Sequence, residues 1–194
     1  MYDAFFSYVQ IQIGRSLLDH EKDLLQKAFY YKKIRKHQFL LQEGEICRFA
    51  GFVLKGALKQ YTLDASGKEN VLALCLENWW AADRESYIKE IPSPYFIEAC
   101  EETELLIINK DAYDKFLLGQ SFMDDLIKVI SERNAFQMLR RLHAMNTQTA
   151  EQRLYELENS YPEFFQRFPQ HLIASYLGIT KETLSRIRTQ SYKK

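Results

Sequence analysis

The sequence predicts an α+β chain: an N-terminal antiparallel β-roll, one long helix, and a C-terminal helix-turn-helix. Three observations carry this. Four of the seven glycines (Gly44, Gly51, Gly56, Gly67) fall within 24 residues, between short β-rich runs. Ser121 to Asn146 contains neither Gly nor Pro. Gln170 to Arg188 places small, apolar and turn residues where two steeply crossing helices need them. With 194 residues, 46% hydrophobic and 27% charged, the composition is that of an ordinary folded protein.

Along the chain, Leu17, Leu18, Leu24, Leu25, Ala28 and Phe29 recur at roughly helical spacing, which predicts a short helix or two at the start. From Lys36 the texture changes. Phe39–Leu41, Phe52–Leu54 and Leu58–Leu63 are short runs closed by Gly-containing turns, the pattern of a barrel or roll. Asp64-Ala65-Ser66-Gly67 predicts a hairpin turn with Gly67 at positive φ. Two further strands are expected over Val71–Leu76 and Phe96–Ile108, with Pro92-Ser93-Pro94 as the loop before the second.

The Gly- and Pro-free stretch predicts a helix of about 39 Å, taking ~1.5 Å per residue. Phe122, Leu126, Val129, Ile130, Phe136, Leu139, Leu142 and Met145 recur at three and four, a stripe wide enough for a domain on one flank and a partner helix on the other. Thr147 or Thr149 is then expected to cap a helix carrying Ala150, Leu154 and Leu157, which Pro162 ends. The expected division is 1–118 for the roll, 119–146 for the long helix and 147–194 for the helix-turn-helix domain.

In the helix-turn-helix, Ala174 is the small residue at the crossing and Gly178 the left-handed turn residue. Ile173, Leu177, Ile179, Leu184 and Ile187 supply the contacts between helices, and Thr180 is the expected cap of the second helix. Charge agrees with a nucleic-acid partner. The chain has 26 basic and 26 acidic residues, yet residues 167–194 hold six basic residues and one acid, Glu182. With Leu184 and Ile187 inward, Lys181, Glu182, Ser185, Arg186 and Thr189 fall on the open face. The N-terminal end of such a helix meets base edges in the major groove. Arg186 suits guanine O6 and N7, and Glu182 suits cytosine N4. Each also has a plainer role, Glu182 as a charge at the helix's positive end and Arg186 as a solvated cation. Lys181, Arg188, Lys193 and Lys194 suit phosphates.

Together these parts resemble the bacterial cyclic-AMP receptor and fumarate-nitrate-reductase regulator (Crp/Fnr) family over nearly the whole chain. The resemblance is carried by Gln42-Glu43-Gly44-Glu45, by Phe52-Val53-Leu54-Lys55-Gly56 with the following Asp64–Glu69 turn, and by Ile173 to Arg188. It implies a cyclic-nucleotide-binding-domain-like roll, a homodimer joined along the long helix, and a winged helix-turn-helix reading a two-fold symmetric operator. The wing is expected within Tyr161–Pro169. In this resemblance Lys181, Glu182 and Arg186 are the DNA-contacting residues, with Thr180, Ser185, Arg188 and Thr189 around them.

The effector region departs from the family pattern. Nucleotide-binding members carry a Gly-Glu pair opening a short helix, then Arg-Ser or Arg-Thr before the next strand. Here the stretch reads Trp79-Trp80-Ala81-Ala82-Asp83-Arg84-Glu85-Ser86, then Ser93-Pro94-Tyr95-Phe96. Without that arginine a cyclic phosphate would be poorly compensated, so cyclic-nucleotide control and a bound cofactor are not expected. Trp80, Arg84 and Ser93 are the candidate lining for another effector. Cys47, Cys75 and Cys100 have neither CxxC spacing nor a cluster for iron–sulfur ligation, and they read as small buried hydrophobes. His20, His37, His143 and His171 are scattered, and no nucleophile or phosphate-loop motif is present, so catalysis is not expected. The expected partners are double-stranded DNA, a second copy of the chain and RNA polymerase. The expected location is cytoplasmic, with no membrane segment. The rival reading is a ligand-sensing protein-interaction module with a degenerate DNA-binding end.

Overall fold

A computed structural model describes residues 2–191. Lys193 and Lys194, assigned above to phosphates, lie outside the described residues. Contacts gather into two units, residues 1–59 with 75–135, and residues 60–74 with 136–194. The elements in chain order begin with α1 (Tyr2–Ile13), α2 (Asp19–Ala28), β1 (Tyr30–Ile34), β2 (Phe39–Leu41), β3 (Phe49–Lys55), β4 (Leu58–Leu63) and β5 (Glu69–Cys75). They continue with β6 (Trp80–Ala81), α3 (Arg84–Lys89), β7 (Phe96–Ala99), β8 (Thr103–Asn109), α4 (Lys110–Phe116) and the long α5 (Ser121–Thr147). The chain closes with α6 (Ala150–Ser160), α7 (Phe164–Arg167), α8 (Gln170–Tyr176) and α9 (Lys181–Ser191).

Two four-stranded sheets form the roll, ordered β1-β8-β3-β6 and β2-β7-β4-β5. The pairings of β1 and β3 with β8 are antiparallel, with Tyr30 opposite Ile107 and Phe52 opposite Leu106. The core of the first unit is aromatic. Phe52 meets Tyr8, Phe5 and Trp80 at ring-centroid distances of 4.7, 4.9 and 5.4 Å. Phe5, Tyr8 and Val9 lie on one face of α1 at helical spacing, and Phe122, Met123 and Leu126 of α5 join the same cluster. Polar groups inside this unit are paired. Glu21 takes two hydrogen bonds from Arg15 and one from the Leu18 N–H at the start of α2. The Arg15 guanidinium holds the Glu21 carboxyl below its usual range.

The single strand expected over Phe96–Ile108 is two strands, β7 and β8. The break has a non-local cause. The Cys100 N–H donates to the Ala57 carbonyl at 2.8 Å, and Thr103 Oγ1 donates to the same oxygen. Gly56, at φ +108°, permits this approach, since a Cβ there would stand 2.6 Å from the Thr103 Cα.

In the second unit, the β4–β5 turn is built as the sequence predicts. Asp64 Oδ1 accepts from the Ser66 N–H, the Ser66 hydroxyl and the Lys68 N–H, and Gly67 sits at φ +81°. Thr149 caps α6 reciprocally with Gln152. Leu154, Leu157, Phe164, Phe168, Ile173, Leu177, Leu184 and Ile187 are buried among α6 to α9. Tyr161–Pro169, where a wing was expected, holds helix α7 instead. Phe164 fixes it, being fully buried and stacked on Tyr161 at 5.0 Å and edge-on to Phe168 at 5.3 Å.

Candidate nucleic-acid interface

Helices α8 and α9 form the helix-turn-helix at the expected positions. Ala174 is buried, Gly178 sits at φ +69°, and the Ile179 N–H closes the turn on the Ala174 carbonyl at 3.0 Å. Thr180 caps α9 by accepting from the Thr183 N–H at 3.2 Å. Leu184 and Ile187 face inward, while Lys181, Glu182, Ser185, Arg186 and Thr189 are exposed on one side of α9.

The first turn of α9 is electrostatically set. The Glu182 carboxyl is held below its usual range, first by the backbone N–H at the start of α9, then by the Thr180 hydroxyl, with Lys181 and Lys68 adding to it. It is therefore anionic at neutral pH, the form that accepts from a base amino group. Arg186 is exposed, with no ion pair among the described residues. Arg188 is turned aside, over the Phe165 ring at 5.7 Å and 3.9 Å from the Glu158 carboxylate. Thr189 donates its hydroxyl back to the Ser185 carbonyl.

Three residues at this end carried no signal as part of the site in the sequence. Ser175 in α8 accepts from the Val71 N–H at 2.9 Å and donates to the Glu69 carbonyl at 3.0 Å. Arg141 in α5 stacks on the Tyr176 ring at 4.1 Å and donates to the Leu72 and Tyr176 carbonyls. Lys68, with Glu69, His171, Thr180, Lys181 and Glu182, borders a cleft of about 360 Å³. Ser175 is a polar residue in an otherwise apolar stretch of α8, which is the only local hint.

The residues expected to line an effector pocket are each engaged in the first unit. Trp80 belongs to the aromatic core, and its indole N–H donates to the Tyr8 hydroxyl at 3.1 Å. Arg84 donates to the Ser131 hydroxyl of α5 at 2.6 Å. Ser93 is buried, accepts from the Tyr95 N–H, and gives its own N–H to the Glu45 carbonyl. Asp83 caps α3 through the Glu85 and Ser86 N–H groups. The helix N–H groups that would cradle a phosphate there are thus taken by a carboxylate, and Pro94 offers none. These residues do not fit a cyclic phosphate. The thiols are no better placed as ligands. Burial raises Cys47, and it pushes Cys75 up to about 12, so both remain protonated.

Comparison with known proteins agrees with the architecture. The model of the cyclic nucleotide-binding domain matches residues 31–119. The fumarate and nitrate reduction regulatory protein of Yersinia pestis is 28% identical over 93% of this chain and 76% of its own length. An anaerobic regulatory protein of Haemophilus influenzae is also 28% identical, over 93% of this chain and 74% of its own. Among solved structures, FixK2 from Bradyrhizobium japonicum superposes with a TM-score of 0.69, at 18% identity and 85% coverage of each chain. The catabolite activator protein of Thermus thermophilus superposes at 0.55, with 19% identity, 94% of this chain and 87% of that one. With roll, long helix and helix-turn-helix in that order, the chain is similar along nearly its whole length to regulators of the Crp/Fnr type and shares their fold.

Proposed function

We propose that this protein is a cytoplasmic homodimer that reads a two-fold symmetric operator through α9, without cyclic-nucleotide control. The observation that carries the reading is the exposed face of α9. Arg186 and Glu182 stand one helical turn apart, ready for base edges, and Lys181 and Thr180 are placed beside them for the backbone. In this reading residues 1–118 form the sensor-like roll, 119–146 the dimerisation helix and 147–194 the DNA-binding domain. Arg188, already turned toward Glu158 and Phe165, supports the fold of the domain and contributes less to phosphates than Lys181 does.

Dimerisation is supported by α5. Within the second unit Phe136, Leu139, Leu142 and Met145 recur at helical spacing, and each is about half exposed or more in the single chain, from 47% to 61%. A second α5 would cover that stripe, and two copies bring two recognition helices to half-sites about one DNA turn apart. RNA polymerase is the expected further partner of such a regulator on its promoter. No effector is assigned. The residues at the family's phosphate position hold the fold together, so an effector, if the cell supplies one, differs from a cyclic monophosphate.

The test is selection from a random duplex pool with the ligand-free protein at fixed salt. The expected result is a palindromic site whose half-sites lie one helical turn apart. A pool that returns no symmetric site overturns the reading. So does a monomer by sedimentation at the concentration that selects the site.

A further inference from the structure

The β4–β5 hairpin of the roll belongs, by its contacts, with the helix-turn-helix. Strand β5 is the outer strand of its sheet, and an outer strand leaves one row of N–H and C=O groups without strand partners. Two side chains of the second unit hydrogen-bond to the backbone of β5. Ser175 of α8 bridges the Val71 N–H and the Glu69 carbonyl through one hydroxyl, and Arg141 holds the Leu72 and Tyr176 carbonyls together. The tip is stiff, since Asp64 accepts three hydrogen bonds from its own turn. Lys68 is thereby held, exposed, across a narrow cleft from His171, Lys181 and Glu182.

We infer that Lys68 is a DNA-phosphate contact flanking the recognition helix, so that the interface includes a residue of the roll's own hairpin, positioned by Ser175 and Arg141. This rests on the reading of α9 given above. Three features favour a phosphate as the occupant. Lys68 stands beside the reading end, where groups that flank a base-reading helix meet the backbone. It is a compact, solvated cation on a flexible stem, suited to a phosphate and not to a base edge. The acids around it are largely engaged locally, Asp64 within its turn and Glu182 at the start of α9. Glu69 is the remaining acid of the cleft, and its backbone carbonyl is the one fixed by Ser175.

The experiment compares full-length wild type, Lys68→Gln and Ser175→Ala on the selected duplex across a salt series. One phosphate contact contributes about 0.9 to the slope of log K against log salt on B-DNA. Lys68→Gln is expected to reduce that slope by about 0.9 per bound reading head, weaken binding most at low salt, and leave the selected sequence unchanged. Ser175→Ala frees the hairpin without altering any charge, and is expected to lower the slope in the same direction. An unchanged slope in both variants overturns the proposal while the α9 reading stands. Tighter binding by Lys68→Gln also overturns it, because the hairpin would then be shielding the reading end. If wild type selects no site, the α9 reading fails and the hairpin contact falls with it.

Discussion

Helices α3 and α9 are made of nearly the same chemistry. Each follows a capping side chain, Asp83 or Thr180, and each carries an acid in its first turn, Glu85 or Glu182. Each also has a serine and an arginine: Ser86 and Arg84 on α3, Ser185 and Arg186 on α9. Arg84 and Glu85 are as exposed as Arg186 and Glu182, and the helices differ in the burial of the serine and in the partners the fold supplies. Ser86 is buried, accepting from the Cys47 N–H at 2.8 Å and donating to the Ile91 carbonyl at 2.5 Å. Arg84 is tied to Ser131, and Glu85 to Lys89 at 2.6 Å. On α9, Ser185, Arg186 and Glu182 all face water. A polar side chain whose donors and acceptors are taken by the fold is structural. One left outward on a rigid helix is available to a partner.

The strongest way to break this contrast is to truncate the two serines. Ser86→Ala leaves the buried Cys47 N–H without its partner, which costs roughly 1–3 kcal/mol, while the Ile91 carbonyl lies at an exposed residue and can turn to water. Urea denaturation is expected to show a lower midpoint at unchanged slope. Ser185→Ala is expected to stay within about 0.5 kcal/mol of wild type. Equal losses in the two variants would mean that burial does not separate these helices as described.

The arginines sharpen the contrast on the functional side. Arg186→Ala is expected to lose about 1–3 kcal/mol of discrimination at one base pair of each half-site, read from selected sequences and competition binding. Arg84→Ala is expected to return the wild-type site. A shifted consensus in the Arg84 variant would make α3 part of the reading apparatus, directly or through α5.

How much of this was legible in the sequence follows from the range of the interactions. The helix-turn-helix is a local motif, and Ala174, Gly178, Thr180, Leu184 and Ile187 occupy the positions that their spacing implies. The long helix was equally plain, since nothing between Ser121 and Asn146 interrupts it. Strand β1 was not read because Tyr-Tyr-Lys-Lys-Ile has no clean alternation, and its pairing with β8 supplies the order. The β7–β8 break depends on Gly56 and Ala57, more than 40 residues away along the chain. The hairpin's attachment to α8 was hidden for the same reason, because Val71 and Ser175 are 104 residues apart. The sequence points to Trp80, Arg84 and Ser93 only by their position in a family pattern. Their hydrogen bonds show what position alone does not, that each already has a structural partner.

The smallest expected effect is a null, and it is informative for that reason. A ligand that binds only the folded state raises stability by RT ln(1 + [L]/Kd), about 2.7 kcal/mol at a hundredfold excess over Kd. For a chain of this length that corresponds to a midpoint shift on the order of 5–10 °C. With Asp83 occupying the α3 N–H groups, Arg84 held by Ser131 and Pro94 lacking a donor, millimolar cyclic AMP is expected to leave the thermal midpoint where it was. A shift of several degrees would show that Arg84 leaves Ser131 at little cost and that Asp83 yields its N–H groups to phosphate. The side chains of α3 would then be available after all, and the distinction between α3 and α9 would be one of degree.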